Sequence, residues 1–124
     1  MQKQIKIPSN LNECFDLLEG MQSKEELKKF KDMKEKDICM LHHGFGTWIR
    51  NTFELWGTKG TKAESPLKRY FSKIGIWHAD DMSGIIITSW HRKLNKKSMK
   101  VAEQIKHYKD YWKKMDKNDK QNKS

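Results

Sequence analysis

Ile38, Leu41, Phe45, Trp48, Ile49 and Thr52 fall on one side of a 3.6-residue period, and this stripe is the feature that most constrains the fold. It predicts a helix from about Asp37 to about Trp56 that forms the centre of the molecule. Gly44 and Gly46 lie inside that helix. Each weakens it by about 1 kcal/mol relative to alanine, so the prediction requires something packed closely against them.

The rest of the chain also reads as helices. Ile7-Pro8-Ser9-Asn10 is a turn and cap, because Pro8 has no backbone donor and Ser9 or Asn10 accepts from the first free helix amides. Leu11, Cys14, Phe15 and Leu18 then recur at helical spacing, with Gly20 as the stop. Ser23-Lys24-Glu25-Glu26 matches a capping box and opens a short second helix with Leu27, Phe30 and Met33 as its buried stripe. Residues 57–64 read as a loop. Ser65-Pro66 starts another helix that turns Leu67, Tyr70, Phe71 and Ile74 inward and closes at Gly75.

Asp80 and Asp81 favour a further helix start, since carboxylates suit the positive end of the macrodipole. Met82, Ile85, Ile86, Ser89 and Trp90 share one face of it, widened by Ile87 and Leu94. Ile85-Ile86-Ile87-Thr88 also suits a buried strand, but length and flanking caps decide for helix. Ser98 caps a last helix whose seam of Val101, Ile105, Tyr108, Trp112 and Met115 docks on the core or pairs with a partner helix. Residues 116–124 hold no apolar side chain and are expected to be disordered. The expected fold class is therefore all-α: a compact bundle of five to six helices over residues 1–95, followed by a lysine-rich C-terminal helix and tail over 96–124.

A chain of 124 residues suits one domain with a core that needs neither metal nor disulfide. Trp48, Trp56, Trp77 and Trp90 read first as packing material for that core. Residues 1–7 lack the apolar run of a signal peptide, and no stretch reaches membrane-spanning length, so the cytoplasm is the expected location and no membrane is expected as a partner. Cys14 and Cys39 then read as reduced thiols on helix faces. Of the net charge of +10, the excess of ten lysines over Glu103, Asp110, Asp116 and Asp119 from Lys96 onward supplies more than half. Such a segment is a solvated helix face, or a surface that attracts nucleic acid or an acidic protein.

Several segments form a recurrent pattern: Ile7-Pro8, Glu13-Cys14-Phe15, His43-Gly44-Phe45-Gly46-Thr47-Trp48-Ile49-Arg50-Asn51, and residues 80–95, which open Asp80-Asp81-Met82-Ser83 and end with His91-Arg92-Lys93-Leu94-Asn95. Over about residues 5–95 they resemble a small bacterial family labelled a domain of unknown function. Where that pattern often has a proline before the paired aspartates, this chain has Ala79, which weakens the helix start. The resemblance implies one coherent domain, leaves the last helix outside it, and supplies no activity.

The motifs single out His43, Arg50, Asn51, Asp80, Asp81, His91 and Arg92 as partner-binding candidates, because arginine forks and paired carboxylates give directional recognition. The competing reading is internal bracing, with Arg50 or Arg92 pairing Asp80 or Asp81. No metal or cofactor is expected: His42 and His43 would point about 100 degrees apart on a helix, and no His-x-x-x-His or Cys-x-x-Cys occurs. Cys14 and Cys39 lack a neighbouring base, Ser83 and His91 are too far apart on one helix, and Asp80-Asp81 comes with no substrate-positioning motif, so an enzyme is not expected.

The two helices around residues 66–75 and 80 onward superficially resemble a helix-turn-helix, but Asp80 and Asp81 at the reading end would repel phosphate. The nucleic-acid candidates are instead Lys100, Lys106, Lys109, Lys113 and Lys114 with Tyr111 and Trp112, for salt-sensitive, nonspecific binding. The expectation is a small non-enzymatic module, monomeric or homodimeric, that binds another protein in the manner of immunity or antitoxin proteins, with a toxin as one such partner. Nonspecific nucleic-acid binding is the alternative.

Overall fold

Three of the helix starts are side chains closing on backbone amides. The computed structural model describes residues 6–56 and 65–122, the last six of these in backbone only. Its elements are α1 (Leu11–Met21), α2 (Lys24–Asp32), a 3-10 helix (Glu35–Leu41), α3 (Phe45–Thr52), α4 (Pro66–Lys73), α5 (Ala79–Leu94) and α6 (Val101–Asn122), so the fold is all-α and no strand occurs among the described residues. Asn10, Ser23 and Ser65 cap α1, α2 and α4 by accepting from the amides of Glu13, Glu26 and Lys68. The expected loop at 57–64 lies outside the described residues, as do residues 1–5 and 123–124.

The long helix expected over 37–56 is two pieces. Gly44 leaves helical geometry at φ −95, ψ −86, and the stretch before it winds as a 3-10 helix. Nothing lies within 4 Å of a Cβ built at Gly44, so no packing holds a continuous helix there. At Gly46 the expected close approach is present: a Cβ would sit 3.0 Å from Arg50 Nη1. The centre of the fold is α5, which contacts α1, α2, the 3-10 helix, α3 and α6. Met82, Ile85, Ile86, Ile87 and Trp90 of α5 are buried, together with Ser83 and Ser89, and they meet Phe15, Leu18, Ile49, Phe53, Leu67 and Phe71 from the surrounding elements. Burial of side chains of this size supplies about 1.5–3 kcal/mol each before entropy is subtracted.

Helices α3, α4 and α5 end alike. The amides of Leu55, Ile76 and Lys97 reach back to the carbonyls of Arg50, Phe71 and Arg92, and the residue before each has positive φ: Glu54 at 54, Gly75 at 87 and Lys96 at 59. Only the second of these is a glycine. α1 runs through Gly20 to Met21, past the expected stop. α6 begins at Val101 rather than at Ser98, docks Val101, Ile105 and Tyr108 against the core, and continues helical through Asn122, where disorder was expected from Asp116. No glycine or proline interrupts it. Once a helix is nucleated, each added polar residue costs little.

Of the four tryptophans expected in the core, only Trp90 is fully buried; Trp48 is half-buried, and Trp56 and Trp77 are exposed. Leu27 and Phe30 of α2 are partly buried against the core. No helix among the described residues is long and apolar enough to cross a membrane.

The two cysteines are free and sit in opposite environments. Cys14 is buried, which pushes its thiol up to about 12, while Cys39 is exposed. With iodoacetamide on the native protein, Cys39 is expected to alkylate and Cys14 only in denaturant. Equal labelling of both under native conditions would contradict this packing.

Candidate functional site

The two motif segments meet at Arg50, which α3 carries into the core at 3 % exposure. Its Nη1 donates to Ser83 Oγ at 2.8 Å, and its Nη2 donates to Thr47 Oγ1 at 2.9 Å and to the His42 carbonyl at 3.1 Å. The Ser83 hydroxyl passes the chain on to the Asp80 carbonyl at 3.0 Å. Asp80 Oδ1 lies 3.5 Å from Arg50 Nε, close enough for an ion pair but without hydrogen-bond alignment, and its side chain stays 59 % exposed. His42 Nδ1 is 3.5 Å from Arg50 Nη1. Because arginine only donates, Nδ1 is the acceptor and the His42 proton belongs on Nε2, 3.9 Å from Asp80. Trp56 lies over the guanidinium at 5.4 Å, and its indole N–H is tied to Asn51 Oδ1 at 2.7 Å.

The second motif does similar work at the other end of α5. His91 is buried and its Nε2 donates to the Met33 carbonyl at 2.8 Å, while Asn95 Nδ2 donates to the Lys31 carbonyl at 3.0 Å. One helical turn of α5 thus satisfies carbonyls left open at the end of α2. Arg92 pairs with Glu35 at 2.6 Å and donates to the Ser98 carbonyl, not to either aspartate. Arg50 and His91, named as partner-binding candidates, are buried and brace one helix against another segment. Among the others, His43, Asn51 and Asp80 are exposed.

Asp81 belongs to a different constellation. Its Oδ2 accepts from Trp112 Nε1 of α6 at 2.8 Å, and the Trp112 ring stacks on His78 at 3.7 Å. Higher on the same face, Gln104 donates to Ser89 Oγ at 3.1 Å, and the Tyr108 hydroxyl lies 2.9 Å from where a Cβ on Gly84 would stand. Burial pushes the Tyr108 phenol up, and the Asp81 charge adds to it.

Segment 75–78 and α6 enclose a cleft of about 650 Å3 lined by Trp77, His78, Asp81, Trp112, Lys109 and Lys113, among others. Gly75 suits this place: it has positive φ, and the flexible end of the Lys109 side chain lies where a Cβ would stand. Trp77, which lines this cleft, is 67 % exposed; Tyr111 and Met115 of α6 are also exposed but do not line it.

Of the lysine and aromatic candidates, Lys109, Trp112 and Lys113 come together in the cleft, Tyr111 stands against Trp112 at 5.1 Å, and Lys106 is paired with Asp110 at 3.0 Å. Lys100 lies on another hollow, beside Arg92 and Glu103. Trp77, His78 and Asp116 also line the cleft, and the sequence reading had not named them as binding residues. The available signal was Trp77-His78 itself, an aromatic pair between a helix-closing glycine and a helix-opening aspartate pair, on no apolar stripe. A further hollow of about 470 Å3 touches Cys39, His42, His43 and Tyr108. Among the described residues no group of three or more His, Cys, Asp or Glu is placed to hold a metal ion.

A family model described as a domain of unknown function (DUF6794) matches residues 7–94, which takes in α1 through α5 and leaves α6 outside. No curated protein matches the chain, and no solved structure does.

Proposed function

Since the chain belongs to the DUF6794 family, whose label carries no activity, we propose from the geometry that it is a non-enzymatic module that binds another protein through the cleft between segment 75–78 and α6. The observation that carries this reading is the exposed Trp77 beside the fixed His78–Trp112 stack that lines the cleft. Tryptophan, tyrosine and methionine are enriched in protein interfaces, and a few such anchors hold most of the binding energy. The cleft presents both signs of charge, Lys109 and Lys113 with Asp81 and Asp116. A protein partner can answer both, whereas a phosphate chain is repelled by the carboxylates. The net charge of +10 raises the encounter rate with an acidic partner. Neutralising an acidic toxin, as immunity proteins do, is one biological form of this reading.

Peptides selected from a displayed random library on the intact protein serve as the probe. They are expected to pair an aromatic or aliphatic anchor with Asp or Glu. Trp77→Ala should weaken them about thirtyfold, the scale of an interface hot spot. Because Trp77 is exposed, its melting temperature should hardly move. Selected peptides that bind Trp77→Ala as tightly as the unaltered protein would sink the proposal.

The same stack beside Lys109 and Lys113 also favours a second reading, nonspecific binding of single-stranded nucleic acid. Under it, an oligothymidylate binds at about 50 mM salt, weakens steeply by about 200 mM, and is released by Trp77→Ala.

A further inference from the structure

α5 and α6 form an antiparallel hairpin. Gln104 donates to Ser89 Oγ at 3.1 Å, the Tyr108 hydroxyl lies against Gly84, and Trp112 Nε1 donates to Asp81 Oδ2 at 2.8 Å, so partners descend along α5 as they ascend along α6. No side chain of α6 over residues 101–116 is fully buried. The helix is held by a row of surface contacts, and the α5 of another copy offers the same row.

The bend between the two helices, residues 95–100, reads Asn-Lys-Lys-Ser-Met-Lys, and neither glycine nor proline occurs from Ile85 to the end of the sequence. The chain turns by placing two lysines in the left-handed region, Lys96 at φ 59 and Lys100 at φ 52, where a Cβ is strained. Lysine and methionine are good helix formers. Arg92 Nη1 and Gln104 Nε2 donate to the carbonyls of Ser98 and Met99, and Met99 packs against the core; these contacts hold the bend shut. Straightening gives them up, releases both left-handed residues and carries the helical hydrogen bonds through from α5 into α6. A straightened α6 projects about 30 Å past the end of its own α5 and can no longer fold back on it.

From a strained bend written in helix-forming residues, we infer that α6 exchanges between two copies of this chain, each α6 seating on the other copy's α5 by the contacts it makes here. Each cleft beside segment 75–78 is then built from both copies, with Trp77 and His78 from one and Lys109, Trp112 and Lys113 from the other. The inference does not rest on what that cleft binds. Where the two straightened bends cross, Lys96, Lys97 and Lys100 of both copies come together, so exchange is opposed at low salt and strengthened by screening.

The test uses the full chain, warmed and re-equilibrated at up to about 1 mM, the weak end of specific association. Sedimentation equilibrium is expected to show a dimer whose association constant rises between about 50 and 500 mM salt. In dimers formed from 13C-labelled and unlabelled copies, nuclear Overhauser contacts between Gly84 Hα of one copy and the Tyr108 ring of the other are expected. Lys96→Gly with Lys100→Gly favours the bend and disfavours the continuous helix in both copies, and should lower the association constant by more than about a hundredfold. The labelled-copy measurement needs no variant. A chain that stays monomeric throughout, a dimer whose Gly84–Tyr108 contacts remain within each copy, or an association constant untouched by the two glycines would overturn the inference.

Discussion

Arg50→Ala is expected to lower folding stability by about 3 kcal/mol, equivalent to a fall in melting temperature of roughly 10 °C for a domain of this size. The loss comes from acceptors rather than from the ion pair. Ser83 Oγ, Thr47 Oγ1 and the His42 carbonyl all receive from one planar guanidinium, and its removal leaves them facing a cavity between α3 and α5. Asp80 is 59 % exposed and stays hydrated when Arg50 is gone, so its share is small. Two companion variants separate these contributions. Asp80→Asn should cost under about 1 kcal/mol. Arg50→Lys keeps the charge but cannot reproduce the fork, and should cost about 2 kcal/mol. Chemical denaturation of the three variants decides the matter; an Asp80→Asn loss as large as that of Arg50→Ala would mean that the charge pair holds the brace.

Trp90→Ala is expected to be still more damaging, at about 4 kcal/mol, within the range of large aromatic truncations in cores. Trp90 is where α5 receives α2: its ring stacks on Phe30, and one residue on, His91 donates to the Met33 carbonyl just past the α2 C-terminus. α2 has no fully buried residue of its own, so its attachment rests on these contacts and on Asn95. The loss should therefore be uneven. Hydrogen exchange of α2 amides is expected to rise toward that of a frayed segment, while α4 and the N-terminal half of α5 keep their protection. Protection falling uniformly in all helices would contradict this account of α2.

Helix starts were legible in the sequence because Asn10, Ser23 and Ser65 act on amides three residues away, and a local interaction leaves a local signature. Helix ends were legible only where glycine marks them. Gly75 was found, but Glu54 and Lys96 adopt the same positive φ with side chains that do not advertise it. The centre of the fold was misplaced for a related reason. The stripe at 38–52 has clean periodicity, yet the buried middle of the molecule is α5, where Ser83, Gly84 and Ser89 let neighbours approach a helix that is apolar on most sides. Periodicity is strongest in half-exposed helices and fades in fully buried ones.

The candidate site was legible as residues and not as a place. His43, Arg50, Asn51, Asp80, Asp81, His91 and Arg92 stood out, and whether such groups face solvent or one another depends on contacts across 30 to 60 residues of chain. Arg50 and His91 face inward; Asp81, from the same motif, reaches α6. Trp77 went the other way, read as core and found on the surface beside the cleft.

The proposal that this cleft is the working face is tested most directly by titrating the intact, 15N-labelled protein with a selected acidic peptide and, separately, with an oligothymidylate. The account predicts that the peptide shifts the indole N–H signals of Trp77 and Trp112 and the amides of residues 108–113, leaving those of α1 and α2 in place, and that the oligonucleotide shifts none of them at moderate salt. Peptide-induced shifts confined to α1, α2 or the surface near His43, or the same cleft signals answering to the oligonucleotide alone, would contradict it.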